Sequence, residues 1–277
     1  MHVYICADIE GVAGVVSPAQ TVQRGFEYEQ ARVWMTGEVV AACEGAFAAG
    51  AEQITVSDSH GNGQNLLLDR IPQAVRVVRN WPRPLGMMQG VQQPGVTAAI
   101  LLGHHTGAHH RDGVLAHTMS GQLIGEVRVN DMPMSETQLN AAVAAHFGVP
   151  IVLATGDDAY CAHVAEALGN HMPSVTTKTA TGRYSADTLT PAASCDAIRA
   201  ATEAALQAPL PALSTQPETP LRLEIRFQRH LPAELLAFLP GFEHLHSTVM
   251  AVELADMPSL IRVMNFISAV RFDEQIP

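Results

Sequence analysis

Short apolar runs alternate with longer helical patterns along the first two hundred residues. The apolar runs predict buried strands over residues 3–7, 53–57, 98–102 and 150–154. The helical spacing of apolar residues predicts helices over residues 28–49, 135–147 and 193–207, and Ser135 is a suitable N-cap for the second of them. Strands that alternate with helices are typical of an α/β fold with a mostly parallel sheet flanked by helices.

The pattern changes after residue 208. Residues 209–220 hold four prolines and no periodicity, which indicates a Pro-rich linker. Beyond it, strands are predicted over residues 221–227 and 248–254, and helices over residues 232–238 and 258–272. We therefore predict an α/β domain over residues 1–208, which carries the metal-binding and catalytic chemistry described below, and a small α+β subdomain over residues 221–277.

Composition narrows the class of protein. With 47% hydrophobic and 16% charged residues, the chain of 277 residues is globular in composition and long enough for a buried core. Its formal net charge of −11 disfavours binding to nucleic acid, because a phosphate backbone would be repelled. No apolar run reaches the roughly 18 residues that a membrane span needs.

Two features of the sequence bear on the location of the protein. Four cysteines without a CxxC pair favour a reducing compartment. Asp8 interrupts the first apolar run, so we expect a cytoplasmic protein without a secretory leader.

Acidic and imidazole side chains follow the predicted strands. The first three strands and the turn after the alternating strand at residues 125–130 are followed by Asp8, Glu10, His60, His104 and Glu136. Because the carboxyl ends of parallel strands meet at one edge of a sheet, we expect these side chains to lie together there.

This set of donors points to divalent cations. Asp8 and Glu10 share a face of extended backbone, and two adjacent carboxylates without a counter-charge would repel each other. The imidazoles of His60 and His104 complete a nitrogen and oxygen set that suits zinc and accepts manganese or cobalt. Three carboxylates and two histidines exceed the four ligands of one tetrahedral zinc, so we predict two zinc ions per chain with Asp8 as the bridging ligand.

These residues also have structural interpretations. An Asp-x-Glu sequence after a strand is often a helix cap or a surface loop, and His60 could be a turn histidine stabilised by Asp58. Asp157 and Asp158 follow the strand at residues 150–154 and could cap the next helix. The coincidence of acids and imidazoles at several strand ends is what favours a metal site.

Histidine is concentrated in one segment. Of the 13 histidines, five lie between His104 and His117. We expect His105, His109 and His110 to face solvent or to lie outside the ligand shell. We assign His117 to proton transfer, because a leaving amine needs a proton even where metals activate the attacking water.

The motifs form an ordered series along the chain. They are Asp8-Ile9-Glu10-Gly11-Val12-Ala13-Gly14, Ser57-Asp58-Ser59-His60-Gly61, Leu102-Gly103-His104, His117-Thr118-Met119-Ser120, Ser135-Glu136, Leu139-Asn140-Ala141 and Gly156-Asp157-Asp158. In this order they make the chain similar to the D-aminopeptidases of peptidase family M55, through residues 3–190 and more weakly to the C-terminus.

The resemblance implies a dinuclear zinc aminopeptidase that acts on short peptides with a D-residue at the amino end, of the D-Ala-D-Ala type. It implies that the metal ligands are Asp8, Glu10, His60, His104 and Glu136, and that His117 is the catalytic histidine. It also implies a ring-shaped homo-oligomer such as a decamer of two stacked pentamers.

Residues and resemblance together predict a hydrolase of amide bonds in short peptides. Metal-activated water would attack the scissile amide, His117 would assist, and Asp157 or Asp158 would bind the free α-amino group. A dinuclear phosphoesterase or another amidohydrolase is the nearest alternative; a phosphoesterase would need basic residues at the phosphate, and only Arg111 lies in a motif loop. A non-catalytic, metal-dependent protein that binds a small ligand is the third possibility.

Overall fold

The first sheet of the computed structural model confirms the predicted α/β class. The structure describes residues 1–270 and residue 272. Numbered along the chain, the strands of this sheet are β1 (His2–Ala7), β2 (Gln53–Asp58), β3 (Val75–Val78), β4 (Val96–Leu102), β7 (Ile151–Asp157), β8 (Ser174–Gly182) and β9 (Ser185–Thr188). Their spatial order is β3-β2-β1-β4-β7-β8-β9, and within it only β9 runs antiparallel to its neighbour.

The register of the strands brings three strand ends to one edge. Ala7, the last residue of β1, is paired with Asp58 of β2 and with Leu102 of β4. The residues that follow these strands therefore leave the sheet side by side. A Cβ on Gly11 would collide with the carbonyl oxygen of His104, so glycine is needed where the loops after β1 and β4 touch.

A second, antiparallel sheet combines strands from distant parts of the chain. Its strands are β5 (Ile124–Val129), β6 (Met132–Pro133), β10 (Leu221–Phe227), β11 (Phe242–His246) and β12 (Val249–Leu254), in the spatial order β11-β12-β10-β5-β6. The strand predicted over residues 125–130 lies here and not in the parallel sheet, because β5 pairs with β10. Val127 and Val129 are buried on one face of β5, and Glu126 and Arg128 are half-buried on the other, as expected for an antiparallel sheet covered on one side.

Six α-helices pack around the sheets in the described part of the chain. They are α1 (Tyr28–Ala48), α2 (Glu136–His146), α3 (Asp158–Leu168), α4 (Pro191–Gln207), α5 (Leu231–Leu236) and α6 (Met257–Ala269). Ser135 caps α2 as predicted, since its hydroxyl accepts the Gln138 N–H while the Gln138 side chain accepts the Ser135 N–H. The last predicted helix extends to residue 272, but α6 ends at Ala269. Residue 271 of that prediction, and residues 273–277 of the predicted subdomain, lie outside the described residues.

Five strands, β3, β6, β8, β9 and β11, were not predicted from the sequence pattern. Four of them are edge strands, and most side chains of all five are partly or fully exposed. Strands of this kind lack the continuous apolar run that marks β1 or β4.

Residues 208–220 form neither helix nor strand. The pairing of β5 with β10 nevertheless joins the two predicted units in one sheet, and buried side chains of both pack in one hydrophobic core. The division into a domain, a linker and a subdomain stays a prediction. Of the helices that the structure describes, none has both the length and the hydrophobicity needed to cross a membrane.

Candidate metal centre

Asp8 and Glu10 lie buried in the loop after β1, and His60 faces both of them. The His60 Nδ1 atom is 3.2 Å from Asp8 Oδ1 and 3.1 Å from Glu10 Oε2. At the other side of the ring, His60 Nε2–H donates to the carbonyl oxygen of Thr21 at 2.7 Å. Because a carbonyl can only accept, neutral His60 turns an unprotonated Nδ1 toward the two carboxylates.

His105 and Glu136 approach the second oxygen of Asp8. The His105 Nε2 atom is 3.6 Å from Asp8 Oδ2 and 3.5 Å from Glu136 Oε1. His105 Nδ1–H donates to the carbonyl oxygen of Thr106, so Nε2 is the unprotonated nitrogen here as well. Of the two alternatives given for His105, exposure to solvent is wrong, since its exposed fraction is 3%, and a position outside the ligand shell stays a prediction; His109 is exposed as expected.

His104, the predicted ligand, also lies against Asp8. Its Nδ1 is 3.8 Å from Asp8 Oδ2 and has no hydrogen-bond partner, while its Nε2–H donates to the carbonyl oxygen of Cys6 at 3.3 Å. Among the acids of the described chain, Asp8 is the one within 4 Å of this ring. Two adjacent histidines therefore reach the same carboxylate, and His105 is the one that also reaches Glu136.

His117 stands between these acids and open space. Its ring stacks on His105 with centroids 4.1 Å apart, and its Nε2 is 3.9 Å from Glu136 Oε1. Its Nδ1–H donates to the carbonyl oxygen of Leu115 at 2.8 Å, which leaves Nε2 free to exchange a proton. Leu115 and Met119 adopt left-handed backbone, with φ of 57° and 61°, a strained conformation that is frequent in functional loops.

The acids and imidazoles form three overlapping groups of ligand atoms. Within each group the atoms lie no more than 4.8 Å apart, and the groups are Asp8 with Glu10 and His60, Asp8 with His105 and Glu136, and Glu10 with His105 and His117. The first two groups share Asp8 alone, which is the arrangement that two cations bridged by one carboxylate require. Glu10 Oε2 and His104 Nδ1 are buried without a hydrogen-bond partner, and a cation would satisfy such atoms.

Burial and neighbouring charges shift the pKa values of the acids and histidines of this centre. Burial and the neighbouring charge of Glu10 raise the pKa of Asp8. Burial opposes a charge on His60, but Glu10 and Asp8 outweigh it and hold the pKa of His60 well above its usual value. Burial likewise opposes a charge on His105, and Glu136 leads the acids that raise its pKa to about 9. Cation binding at this centre therefore competes with protons.

A buried lysine that the sequence analysis missed holds the loop that carries the two acids. Lys178 of β8 is 2% exposed, and its Nζ donates to the carbonyl oxygens of Glu10, Val12 and Val15 at 2.5, 2.8 and 2.5 Å. A register shift against β7 interrupts the alternation of β8, so a period of two does not predict that this side chain is buried. The signal that could have found it is its rarity, because Lys178 is the only lysine in the sequence.

Asp58 stabilises the loop that carries His60. Its carboxylate accepts the N–H groups of Asn65 and Leu66 at 2.7 and 2.8 Å, and the Asn65 side chain donates to the carbonyl oxygen of His60. The alternative in which Asp58 holds the His60 ring is therefore wrong. The ring contacts the acids of the centre instead, and Asp58 fixes the loop behind it.

A cavity of about 660 Å³ opens in front of the centre, and we call it the main cavity. Its polar end is lined by Asp8, His60, His117 and Glu136. The other lining residues are Ser59, Gly61, Trp81, Pro82, Met87, Met119, Ser120, Asn265, Ser268 and Ala269. A cavity of this size accommodates a small ligand such as a short peptide.

Asp157 and Asp158 do not line the main cavity. Asp157 accepts the N–H of Tyr160 as the cap of α3, and its other oxygen accepts the N–H of Val114. Asp158 is exposed and accepts the N–H of Ala180. The prediction that either acid binds the α-amino group of a substrate is wrong, because backbone amides occupy both carboxylates away from the centre.

Comparisons with known proteins agree with this geometry. The model of the peptidase M55 family, described as D-aminopeptidase, matches residues 1–266. A D-aminopeptidase of Bacillus subtilis (strain 168) is 30% identical in an alignment of 251 residues that covers 88% of this chain and 87% of the relative. The solved structure of the Zn-dependent D-aminopeptidase DppA from Bacillus subtilis, described as a self-compartmentalizing protease, is 25% identical, covers 100% of both chains and gives a TM-score of 0.92. These matches confirm the predicted resemblance and the predicted enzyme class of metallo-aminopeptidase. The chain belongs to the peptidase M55 family of D-aminopeptidases.

Proposed function

We propose that the protein is a zinc-dependent aminopeptidase that removes a D-residue from the amino end of short peptides, of which D-Ala-D-Ala is the simplest, with two zinc ions per chain. The observation that carries the proposal is the pair of ligand groups that share only Asp8. Zinc and the D-residue are supported by the relatives, which are D-aminopeptidases and in one case Zn-dependent. Nitrogen and oxygen donors also accept manganese or cobalt.

In this proposal one zinc is held by Asp8, Glu10 and His60, and the other by Asp8, His105 and Glu136. Four of the five predicted ligands are kept. The fifth, His104, stays the alternative to His105, because its Nδ1 also faces Asp8 and has no hydrogen-bond partner. The rings of His60 and His105 each donate their second N–H to a backbone carbonyl, the usual support of a histidine that binds metal.

Alanine variants of the two adjacent histidines test the ligand set. We expect His105→Ala to retain one zinc fewer per chain than the parent protein after dialysis, because it removes a nitrogen that meets two carboxylates. His104→Ala is the matched control and is expected to keep both ions. Elemental analysis that gives the opposite result would restore His104 as the ligand.

His117 supplies the proton chemistry of the proposed reaction. The carbonyl of Leu115 fixes its Nδ1–H, so Nε2 can deliver a proton to the nitrogen of the departing amine. The N–H of Met119 donates to Glu136 Oε1 at 2.6 Å and holds the acid beside His117 in place. When bound, zinc would polarise the scissile carbonyl and lower the pKa of the attacking water.

The lining of the main cavity disfavours the alternative of a phosphoesterase. Among its described lining residues there is no lysine or arginine to bind a phosphate. Arg111 lines a different cavity, where it is 91% exposed in its side chain and paired with Asp112. We therefore expect the zinc-loaded protein to cleave D-alanyl p-nitroanilide and to leave p-nitrophenyl phosphate intact. The reverse preference would make the protein a phosphoesterase.

Turnover separates the enzyme from a metal-dependent binding protein. Hydrolysis of D-alanyl p-nitroanilide should disappear after treatment with a chelator and return when zinc is added. L-alanyl p-nitroanilide is the matched substrate that tests preference for the D-residue. If neither compound nor any dipeptide of a D and L panel is cleaved, the centre serves binding alone.

We also propose a ring-shaped homo-oligomer, for example a decamer, and a cytoplasmic location. The oligomer is supported by the relative that is a self-compartmentalizing protease and by exposed aromatic side chains such as Phe26 and Phe238, which are 77% and 76% exposed. The location is supported by the four free cysteines. Native mass spectrometry tests the assembly, and a monomer at micromolar concentration would contradict it.

A further inference from the structure

The main cavity has an apolar end whose side chains belong to none of the three groups of ligand atoms. Trp81, Pro82, Met87 and Met119 line this end, and the remaining wall is formed by α6. No described residue that lines the cavity is a lysine or an arginine. The cavity thus offers a place for an apolar group.

Trp81 is held in position by its own neighbours. Its Nε1–H donates to the carbonyl oxygen of Gly61 at 2.8 Å, and the guanidinium of Arg83 lies 4.3 Å from the centre of its ring. Arg83 is buried and donates in turn to the hydroxyl of Ser57 and the carbonyl oxygen of Asp58. A wall that is already ordered binds a ligand without the entropic cost of ordering it.

Helix α6 is fixed beside this wall. Its Asn265 side chain donates to the carbonyl oxygen of Arg83 at 2.7 Å. A Cβ on Gly86 would lie 3.0 Å from the Ile261 side chain, so the helix packs closely on the turn that leads into the cavity wall. The residues that α6 presents to the cavity are small or medium in size, and they leave its volume open.

The position of His117 indicates which part of a peptide reaches the apolar end. In the proposed reaction His117 protonates the leaving amine, so the residue after the scissile amide lies beside it. Met119 and Ser120 follow His117 in the chain and also line the cavity, and the Met119 N–H donates to Glu136 Oε1. The side chain of that second peptide residue therefore extends along Met119 toward the apolar end.

We propose that the apolar end of the main cavity binds a large apolar side chain on the residue after the scissile amide, so that D-alanyl-D-leucine is a better substrate than D-alanyl-D-alanine. The inference rests on the proposed function. A single methylene group in a hydrophobic pocket changes kcat/KM by about tenfold or more, and leucine has three more side-chain carbons than alanine. We expect kcat/KM to be at least about tenfold higher for the leucine peptide.

Steady-state kinetics with the zinc-loaded protein test the preference. Ser268 is an exposed residue of α6 that lines the cavity, so Ser268→Trp should fill the apolar end without disturbing the core. In this variant the ratio of kcat/KM for the leucine peptide to kcat/KM for the alanine peptide should be close to one. Trp81→Ala should lower the same ratio by removing the wall. Phe266→Ala truncates an exposed aromatic residue of α6 that does not line the cavity and should leave the ratio unchanged.

A binding measurement keeps the test independent of turnover. In protein treated with chelator, tryptophan fluorescence should report D-alanyl-D-leucine with a dissociation constant at least about tenfold below that of D-alanyl-D-alanine, and Trp81→Phe should abolish the response. Equal kcat/KM values in an active enzyme, or a preference that survives Ser268→Trp, would overturn the inference. If no D-peptide is cleaved, the proposed function is wrong. The inference about the apolar end then depends on binding alone: a lower dissociation constant for the leucine peptide supports it, and equal dissociation constants contradict it.

Discussion

The two ends of the main cavity are built in different ways. At the polar end, the loops after neighbouring parallel strands and the start of α2 bring buried acids and imidazoles together, and backbone carbonyls orient the rings. At the apolar end, Trp81, Met119 and α6 come from separate parts of the chain and are joined by tertiary packing. The sheet edge thus determines the chemistry, while elements placed around it determine the shape offered to a substrate. Changes at the polar end should alter metal content and kcat, and changes at the apolar end should alter KM.

The largest effect is expected from Asp8→Asn. This change removes the one carboxylate that both ligand groups share, so both zinc ions should be lost and kcat should fall by about 10⁴-fold or more. Elemental analysis and kinetics on D-alanyl p-nitroanilide provide the measurement. Asp158→Asn, an exposed acid outside the main cavity, is the matched control. Retention of two zinc ions by Asp8→Asn would contradict the bridging role.

His117→Ala separates proton transfer from metal binding within the polar end. We expect zinc content to stay the same and kcat to fall by roughly 10²–10⁴-fold, the range for a lost general acid. An unchanged kcat would remove His117 from the mechanism.

Lys178→Met tests how far the metal centre depends on the hydrogen bonds that Lys178 donates to the loop carrying Asp8 and Glu10. Three buried carbonyl oxygens would lose their donor, which should lower the free energy of unfolding by at least about 3 kcal/mol. In the protein that remains folded, zinc affinity should drop by about 10–100-fold because the ligand loop is released. Urea denaturation and zinc titration measure the two effects, with the half-buried Arg199→Met, far from the ligand loop in the sequence, as control. Unchanged zinc affinity would limit Lys178 to a role in stability.

Glu38→Gln tests a second support of the same loop through pH. The Glu38 carboxylate accepts the N–H of Ala13 and the hydroxyl of Ser194, and burial raises its pKa from the ordinary 4.5 to about 7. Stability that is fully present below pH 4.5 is therefore lost as the pH rises through 7, because the fold disfavours the charged form. The glutamine variant should exceed the parent by up to about 3 kcal/mol at pH 8.5 and by little at pH 4.5. A difference that does not vary with pH would contradict the assignment.

The smallest effect is expected at the apolar end. Asn265→Ala removes the hydrogen bond that joins α6 to Arg83, worth about 1 kcal/mol, and should raise KM for D-alanyl-D-leucine by about fivefold. Zinc content and kcat should not change. Arg262→Ala, exposed on the same helix, serves as control. A loss of zinc in the Asn265 variant would mean that the two ends are coupled.

The polar end was largely predictable because it follows from local order along the chain. Parallel strands bring their ends to one edge, so Asp8, Glu10 and His60 had to lie close together once the strands were recognised. Glu136 was placed correctly for an incorrect reason. Its preceding strand belongs to the second sheet, and the N-cap at Ser135 is what directs the start of α2 to the centre.

The sequence pattern does not decide whether His104 or His105 is the second histidine ligand of the proposed centre. Gly103 adopts φ of 71°, so the alternation of β4 ends one residue before the pair, and the direction of each ring depends on that turn. The apolar end of the main cavity could not be predicted from the sequence for another reason. Trp81 and Asn265 are brought together because α6 packs on a loop that is distant in the sequence. The spacing of apolar residues within one element cannot predict such a contact.

The burial of Lys178 also hides the one lysine side chain of this sequence from solvent. Amine-directed reagents should therefore leave Lys178 unlabelled in the native protein. Labelling of Lys178 would appear only when β8 separates from the loop that carries Asp8 and Glu10. Acylation of Lys178 therefore measures whether β8 still packs on the loop that carries Asp8 and Glu10.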